Sequence, residues 1–170
     1  MYISAYSEFI SALYPQLEKE ENPTFLEAIP HIGESHCLSF AHQALSLSSQ
    51  VKKIQPVLIP GGKAWHFASS ENNQWKDSLT QQLKKHTYGD IIFISFGEID
   101  CRKSEGILAH ASMHNKNALE VCEQTIKGYL NYMEATLSTT YSKRYYFGIP
   151  APKRTKESRD ELDVKRIEIV

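Results

Sequence analysis

Ile29-Pro30-His31-Ile32-Gly33-Glu34-Ser35-His36-Cys37-Leu38 is the stretch on which the fold turns. An apolar run, residues 25–32, leads into Gly33; a serine follows, and then a helix-type pattern begins. That order spells a strand, a sharp turn and a helix start, with a hydroxyl at the apex. A helix N-terminus presents unpaired N–H groups and the positive end of the helix dipole. A serine placed there can act as a nucleophile while the N–H groups beside it hold a developing oxyanion. Serine is also among the best N-caps. From this stretch alone Ser35 reads either as a cap or as a nucleophile.

Working outward, residues 36–47 carry Cys37, Leu38, Ala41, Ala44 and Leu45 on one side and are expected to form the first helix after the turn. A second strand is expected over residues 53–59, with Pro56 arguing against a fully paired central position. It stops at Pro60-Gly61-Gly62. Residues 63–67 start a short helix or loop. Trp75, Leu79 and Leu83 then recur at i, i+4, i+8 in an amphipathic helix over 71–86. Residues 91–96 are rich in β-formers with little alternation, as in a strand buried on both faces of a parallel sheet. That strand ends at Gly97-Glu98-Ile99-Asp100-Cys101-Arg102. Residues 103–115 read as a loop, 117–137 as the longest helix, and 145–150 as a fourth strand. A helical stripe over 2–17 places an N-terminal helix within residues 1–22, lying on the body of the domain or docking a protein partner or a second copy. The charged tail from Lys153 suggests a final helix.

The chain has 170 residues, 41% apolar and 23% charged, which is the composition of a single globular domain spanning 1–170. A formal net charge of -1 gives no electrostatic case for nucleic acid or an anionic membrane. No apolar run approaches membrane-spanning length, and the first residues show no secretory leader. Three widely spaced cysteines, Cys37, Cys101 and Cys122, fit a reducing compartment and no zinc pattern. A cytoplasmic location is the expectation.

Strands alternating with helices indicate an α/β three-layer sandwich with a parallel sheet. Ligands of such folds bind at the C-terminal ends of the strands. Ser35, Gly61-Gly62, the 97–102 turn and the Pro150 region all fall at those ends. With these motifs in place the chain resembles the SGNH (GDSL-type) hydrolases over roughly residues 25–152. Gly33-Glu34-Ser35-His36 is similar to their first block, Gly-Asp-Ser-Leu. Gly61-Gly62 is similar to their second block, and Gly97-Glu98-Ile99-Asp100 to their third, Gly-x-Asn-Asp. The resemblance implies a flavodoxin-like strand order and a serine esterase acting on a small ester, such as an acetylated sugar or lipid, without a cofactor. It implies Ser35 as nucleophile, with its own N–H and that of Gly61 or Gly62 in the oxyanion hole. Asp100 joins the catalytic candidates, and Glu34, His36, Gly97, Glu98 and Arg102 are the candidates for substrate binding.

The chain departs from the family pattern in three places. Glu34 replaces Asp. Ile99 replaces the Asn that donates to the oxyanion, a loss that costs about 2.7–4 kcal/mol of transition-state stabilisation. No Asp-x-x-His occurs in the chain and no His follows His114, so the family's base and final strand and helix are not found. His66, just after the glycine turn, is the internal candidate for a base, followed by His110 and His114. His36 neighbours Ser35, but successive residues on a helix point about 100° apart, which disfavours a direct bond. His31 with His36, and His110 with His114, are pairs without a third ligand, so no metal is expected. Asp100 and Arg102 read equally as an ion pair and as site groups. Cys37 reads as a small buried apolar residue, with a thiol role open at a helix start. The alternative function is a non-catalytic SGNH-like domain serving binding or assembly; a transferase using the same rim is a third.

Overall fold

Short apolar runs bounded by glycine, proline and polar turns build the sheet. A computed structural model describes residues 27–148 apart from 48, 87, 88 and 103. Its strands are β1 (Ala28–Gly33), β2 (Ala44–Leu47), β3 (Gln50–Leu58), β4 (Ile91–Ser95) and β5 (Lys143–Tyr146), in the sheet order β2-β3-β1-β4-β5. β3, β1, β4 and β5 are mutually parallel, and β2 runs antiparallel on the β3 edge. The registers place Gly33 beside both Leu58 and Ser95. The ends of the two central strands therefore meet at the residue that precedes Glu34. Between the strands lie α1 (Ala64–Ala68), α2 (Gln74–Lys85), α3 (Gly106–Met113) and α4 (Ala118–Leu137).

Period-two alternation divides the sheet's side chains. Ile32, Val57, Ile92 and Ile94 join Phe67 of α1, Leu79 of α2, and Tyr129, Met133 and Leu137 of α4 in the main core. Ile29, Ile54, Ile91 and Phe93 point the other way, with Leu45 and Leu47 of β2 against them. Asn73 caps α2 by accepting from the N–H groups of Trp75 and Lys76, and Asn117 caps α4 by accepting from Leu119 and Glu120.

The structure is α/β, and it differs from the sequence expectations in four places. Residues 36–47 are not one helix: a 3-10 helix covers Ser35–Phe40, the chain reverses at His42 with φ of 61°, and β2 follows. Leu45 and Leu47 alternate with Ala44 and Ser46, and pairing with β3 from Ala44–Lys53 to Leu47–Gln50 buries that period-two face. β3 is consequently an internal strand, with Pro56 opposite His31, and Pro56 does not keep it at the edge. Residues 103–115 are not a loop throughout. Gly106 starts α3, whose Ile107, Leu108 and Ala111 pack with Val121 and Cys122 of α4 and with Cys101. The fourth strand also begins earlier than expected, at Lys143.

The helices found in the described residues pack on the main-core face and against one another. The expected terminal helices, over 1–22 and from Lys153 on, lie outside the described residues, as does the Pro150 turn. Among the described residues no helix is long and apolar enough to cross a membrane.

Candidate functional site

The end of β1 is built on a close approach that only glycine permits. A Cβ on Gly33 would lie 2.2 Å from Ser95 Oγ and 2.5 Å from the Ser95 carbonyl oxygen. The Glu34 N–H then donates to that carbonyl at 3.3 Å, which carries the sheet contact one residue past the strand. The turn buries the Glu34 side chain, and the residue is only 2% exposed.

A buried carboxylate needs partners, and Glu34 has two. Its Oε2 accepts the Ser35 hydroxyl at 3.1 Å, and its Oε1 lies 2.7 Å from His36 Nδ1. Ser35 itself is exposed and His36 is half-buried. Hydroxyl and imidazole thus share one carboxylate, although no hydrogen bond joins them directly among the described residues. Glu98, just past β4, completes the group. One ligand atom from each of Glu34, His36 and Glu98 lies within 4.8 Å of the others.

Arg102 belongs to Glu98. Its Nε and Nη2 donate to the same Glu98 oxygen at 3.0 and 2.7 Å. Of the two readings open for Asp100 and Arg102, the ion pair is not formed: Arg102 pairs with Glu98 one turn away. Asp100 instead turns inward and caps α1 from outside that helix. Its Oδ2 accepts from the Ala64 N–H at 2.7 Å and its Oδ1 from the Trp65 N–H at 3.0 Å. Burial pushes the Asp100 carboxyl up to about 6, against the pull of those N–H groups and of Lys63.

The remaining sequence candidates lie as follows. Gly61 adopts φ of 66°. The Gly62 N–H donates to the Ile59 carbonyl at 3.0 Å, so it is already spent within the turn. His66 stacks on Trp75, with ring centroids 3.4 Å apart, and its Nδ1 accepts from the Lys63 N–H at 3.2 Å. Burial first and Lys63 second push its imidazole down to about 4. Gly97 is buried beside Glu98 with φ of 123°. His110 and His114 sit near the end of α3, their rings 4.3 Å apart, with His110 also against Trp65. Burial pushes the Cys37 thiol up to about 11, which leaves little thiolate for a nucleophilic role.

A cavity of about 270 Å3 opens on the strand ends and is lined by His31, Glu34, His36, Ser95, Glu98 and Phe147, among others. His31 is its most unusual wall. The residue is 1% exposed, its Nε2 lies 3.0 Å from Ser95 Oγ, and its ring stacks on Phe147 at 4.9 Å. Among the described residues its Nδ1 is buried without a hydrogen-bond partner. Burial pushes its imidazole down to about 4. From sequence, His31 stands only as half of a metal pair, and neither Ser95 nor Phe147 is marked. The available signal was a lone polar ring inside the apolar run of β1.

Chemically, the His36 imidazole and the Glu34 and Glu98 carboxylates line this cavity, and the Ser35 hydroxyl is tied to it through Glu34. Comparisons with protein-family models, with curated proteins and with solved structures found no match for this chain.

Proposed function

We propose that this chain is a serine ester hydrolase of the SGNH type, acting on a small ester with Ser35 as nucleophile. The observation that carries the reading is the buried Glu34 carboxylate, which holds the Ser35 hydroxyl and the His36 imidazole together at the end of β1. The parallel strands β3, β1, β4 and β5 follow the flavodoxin-like order expected of that fold. Ser35 stands at the C-terminal end of a central strand, where such folds bind ligands.

In this mechanism Ser35 Oγ attacks the acyl carbonyl and its proton moves toward Glu34 Oε2. A serine hydroxyl needs such an acceptor within hydrogen-bond reach. Glu34 Oε1 accepts from His36 Nδ1–H. When the ring carries both protons, its other nitrogen gives one to the leaving alcohol as the ester C–O bond breaks. The proton taken by Glu34 returns to the ring, and water then hydrolyses the acyl–Ser35 ester. The N–H of Ser35 and that of Gly61 are the oxyanion donors. Gly62 is not among them, because its N–H is already bound to Ile59. The aromatic wall of Phe40, Phe96 and Phe147 lines the space for the acyl group.

A second reading, a binding domain without catalysis, is favoured by one specific observation. Asp100 spends both carboxylate oxygens capping α1. One experiment separates the two readings. A fluorophosphonate probe and p-nitrophenyl acetate are given to the chain and to its Ser35→Ala and Glu34→Gln variants. Labelling and turnover that vanish in Ser35→Ala and fall sharply in Glu34→Gln support the hydrolase. A folded chain that takes no label and turns over no ester overturns it in favour of the binding domain.

A further inference from the structure

We infer that Glu34, His36 and Glu98 form a binding site for one divalent first-row cation, Mn2+ or Zn2+, at the edge of the β1–β4 cavity. The three side chains come from the ends of two adjacent central strands, and the strand pairing sets their approach. Their ligand atoms already lie within 4.8 Å of one another. A cation bound at about 2.0–2.2 Å from each donor draws that group in by roughly 1 Å. Glu34 Oε1 and His36 Nδ1, now 2.7 Å apart, open by roughly 0.7 Å to sit on one tetrahedral ion. Closure falls to Glu98, which Arg102 holds at 2.7 Å from the exposed side.

Charge favours the same conclusion. Two carboxylates share a small volume, and one of them is almost wholly buried. Buried carboxylates are stable when paired or metal-bound. The Arg102 guanidinium is the cation now facing them, through Glu98. It sits in the combined negative field of Glu98, Glu105 and Glu34, which raises its pKa. Its side chain is 45% exposed, and an exposed pair of this kind contributes little. A divalent ion neutralises both carboxylates where Arg102 neutralises one. Binding is coupled to release of the proton between Glu34 and His36 when His36 ligates through Nδ1.

A separate observation points to an occupant of this space. His31 lines the same cavity, and its Nδ1 is, among the described residues, a buried polar atom without a partner. A water or substrate oxygen carried by the cation would give the cavity the polar guest that this nitrogen lacks. The donor set also selects the metal. One imidazole with two carboxylates suits Mn2+ and Zn2+ better than Mg2+ or Ca2+, which prefer oxygen ligands throughout.

The site stands whether or not Ser35 is a nucleophile, and the test reads binding rather than turnover. The full chain, stripped with EDTA, is titrated at pH 7 with Mn2+, followed by loss of the free-ion EPR signal. Zn2+ is titrated in parallel by calorimetry. The expected result is saturable uptake of one ion per chain. Glu98→Gln and His36→Gln are each expected to weaken it by about 10–100-fold, with unchanged far-UV circular dichroism. Arg102→Gln binds as tightly or more tightly, because the competing cation is gone. The Ser35→Ala chain takes up Mn2+ like the unaltered one, so failure of the hydrolase reading leaves this result in place. Absence of saturation by about 1 mM ion overturns the proposal. So does uptake that survives both Glu98→Gln and His36→Gln undiminished.

Discussion

Acidification below pH 6.5 should destabilise this protein through His31, and replacing that residue should remove the effect. The ring is buried in β1 between Phe147 and Phe93, with Ser95 Oγ on one nitrogen and, among the described residues, no partner on the other. Burial pushes its pKa from 6.5 to about 4, because an imidazolium there would lose its water without gaining an anion. The folded-state value is thus lower than the unfolded one. Above pH 6.5 both states hold the ring neutral and His31 adds no pH dependence. Between 6.5 and 4 the unfolded chain takes up a proton that the folded chain refuses, so stability falls as pH falls. At 1.36 kcal/mol per pH unit the loss is about 2 kcal/mol at pH 5 and about 3 kcal/mol at pH 4. The assay is urea unfolding at pH 7 and pH 5 for the unaltered chain and for His31→Phe, whose ring fits an aromatic neighbourhood. Comparing the two pH differences cancels His66 and the other titrating groups. The expected outcome is a stability drop about 2 kcal/mol smaller in His31→Phe, whatever the substitution costs at pH 7. Equal drops in the two proteins would refute the claim that His31 is held neutral by burial.

Three further outcomes follow from the same geometry. Gly33→Ala puts a methyl 2.2 Å from Ser95 Oγ and 2.5 Å from the Ser95 carbonyl. Prying β1 from β4 should cost at least about 3 kcal/mol, read as a lower urea midpoint, and a loss under about 1 kcal/mol would show that the strand ends do not meet as described. Asp100→Ala removes the acceptor for both the Ala64 and Trp65 N–H groups and should cost about 1–2 kcal/mol. Asp100→Asn, which keeps one acceptor and carries no buried charge, should cost less, and the reverse order in thermal melts would contradict the capping role. Cys37, Cys101 and Cys122 are all buried, so a thiol reagent at pH 8 should label none of them quickly in the native chain and all three in urea.

Most of the sheet was legible in the chain because its strands are short apolar runs ended by glycine or proline. The failures share a cause. Residues 36–47 contain apolar residues that satisfy both periods: Leu38, Ala41 and Leu45 suit a helix, while Leu45 and Leu47 suit a strand. Burial decides between them, and burial depends on β3 lying alongside, which is a tertiary fact. Residues 103–115 read as a loop because glycine, two histidines and an asparagine outweighed Ile107, Leu108 and Ala111. Those three residues spell only one face of a two-turn helix, and α4 supplies the rest. Pro56 is tolerated inside the sheet, where it stands opposite His31.

The strand-end rim was legible, and the contacts made on it were not. Strand ends are marked by sequence, so Ser35, Glu98 and Asp100 could be put on one rim. Sequence does not say which side chain turns inward. Glu34 reads from sequence as a replacement for Asp and a candidate for substrate binding, yet it is the group to which Ser35 and His36 both bind. Asp100 looked catalytic, yet its two oxygens are consumed by the backbone of α1. The exchange of roles has one physical origin. Gly33 lets β1 approach β4 so closely that the next residue is carried under the rim, and the residue there is Glu34. A carboxylate buried at that point must be met by donors or by a cation. Ser35 and His36 meet it as donors, and Glu98 brings a second negative charge to the same place. The chemistry of this rim is therefore set less by the serine than by how the Glu34 charge is balanced. Comparing Glu34→Gln with Ser35→Ala tests that ordering. The former should disturb ester turnover and metal uptake together, and the latter turnover alone. A Glu34→Gln chain that keeps both would show that the serine, not the carboxylate, organises the site.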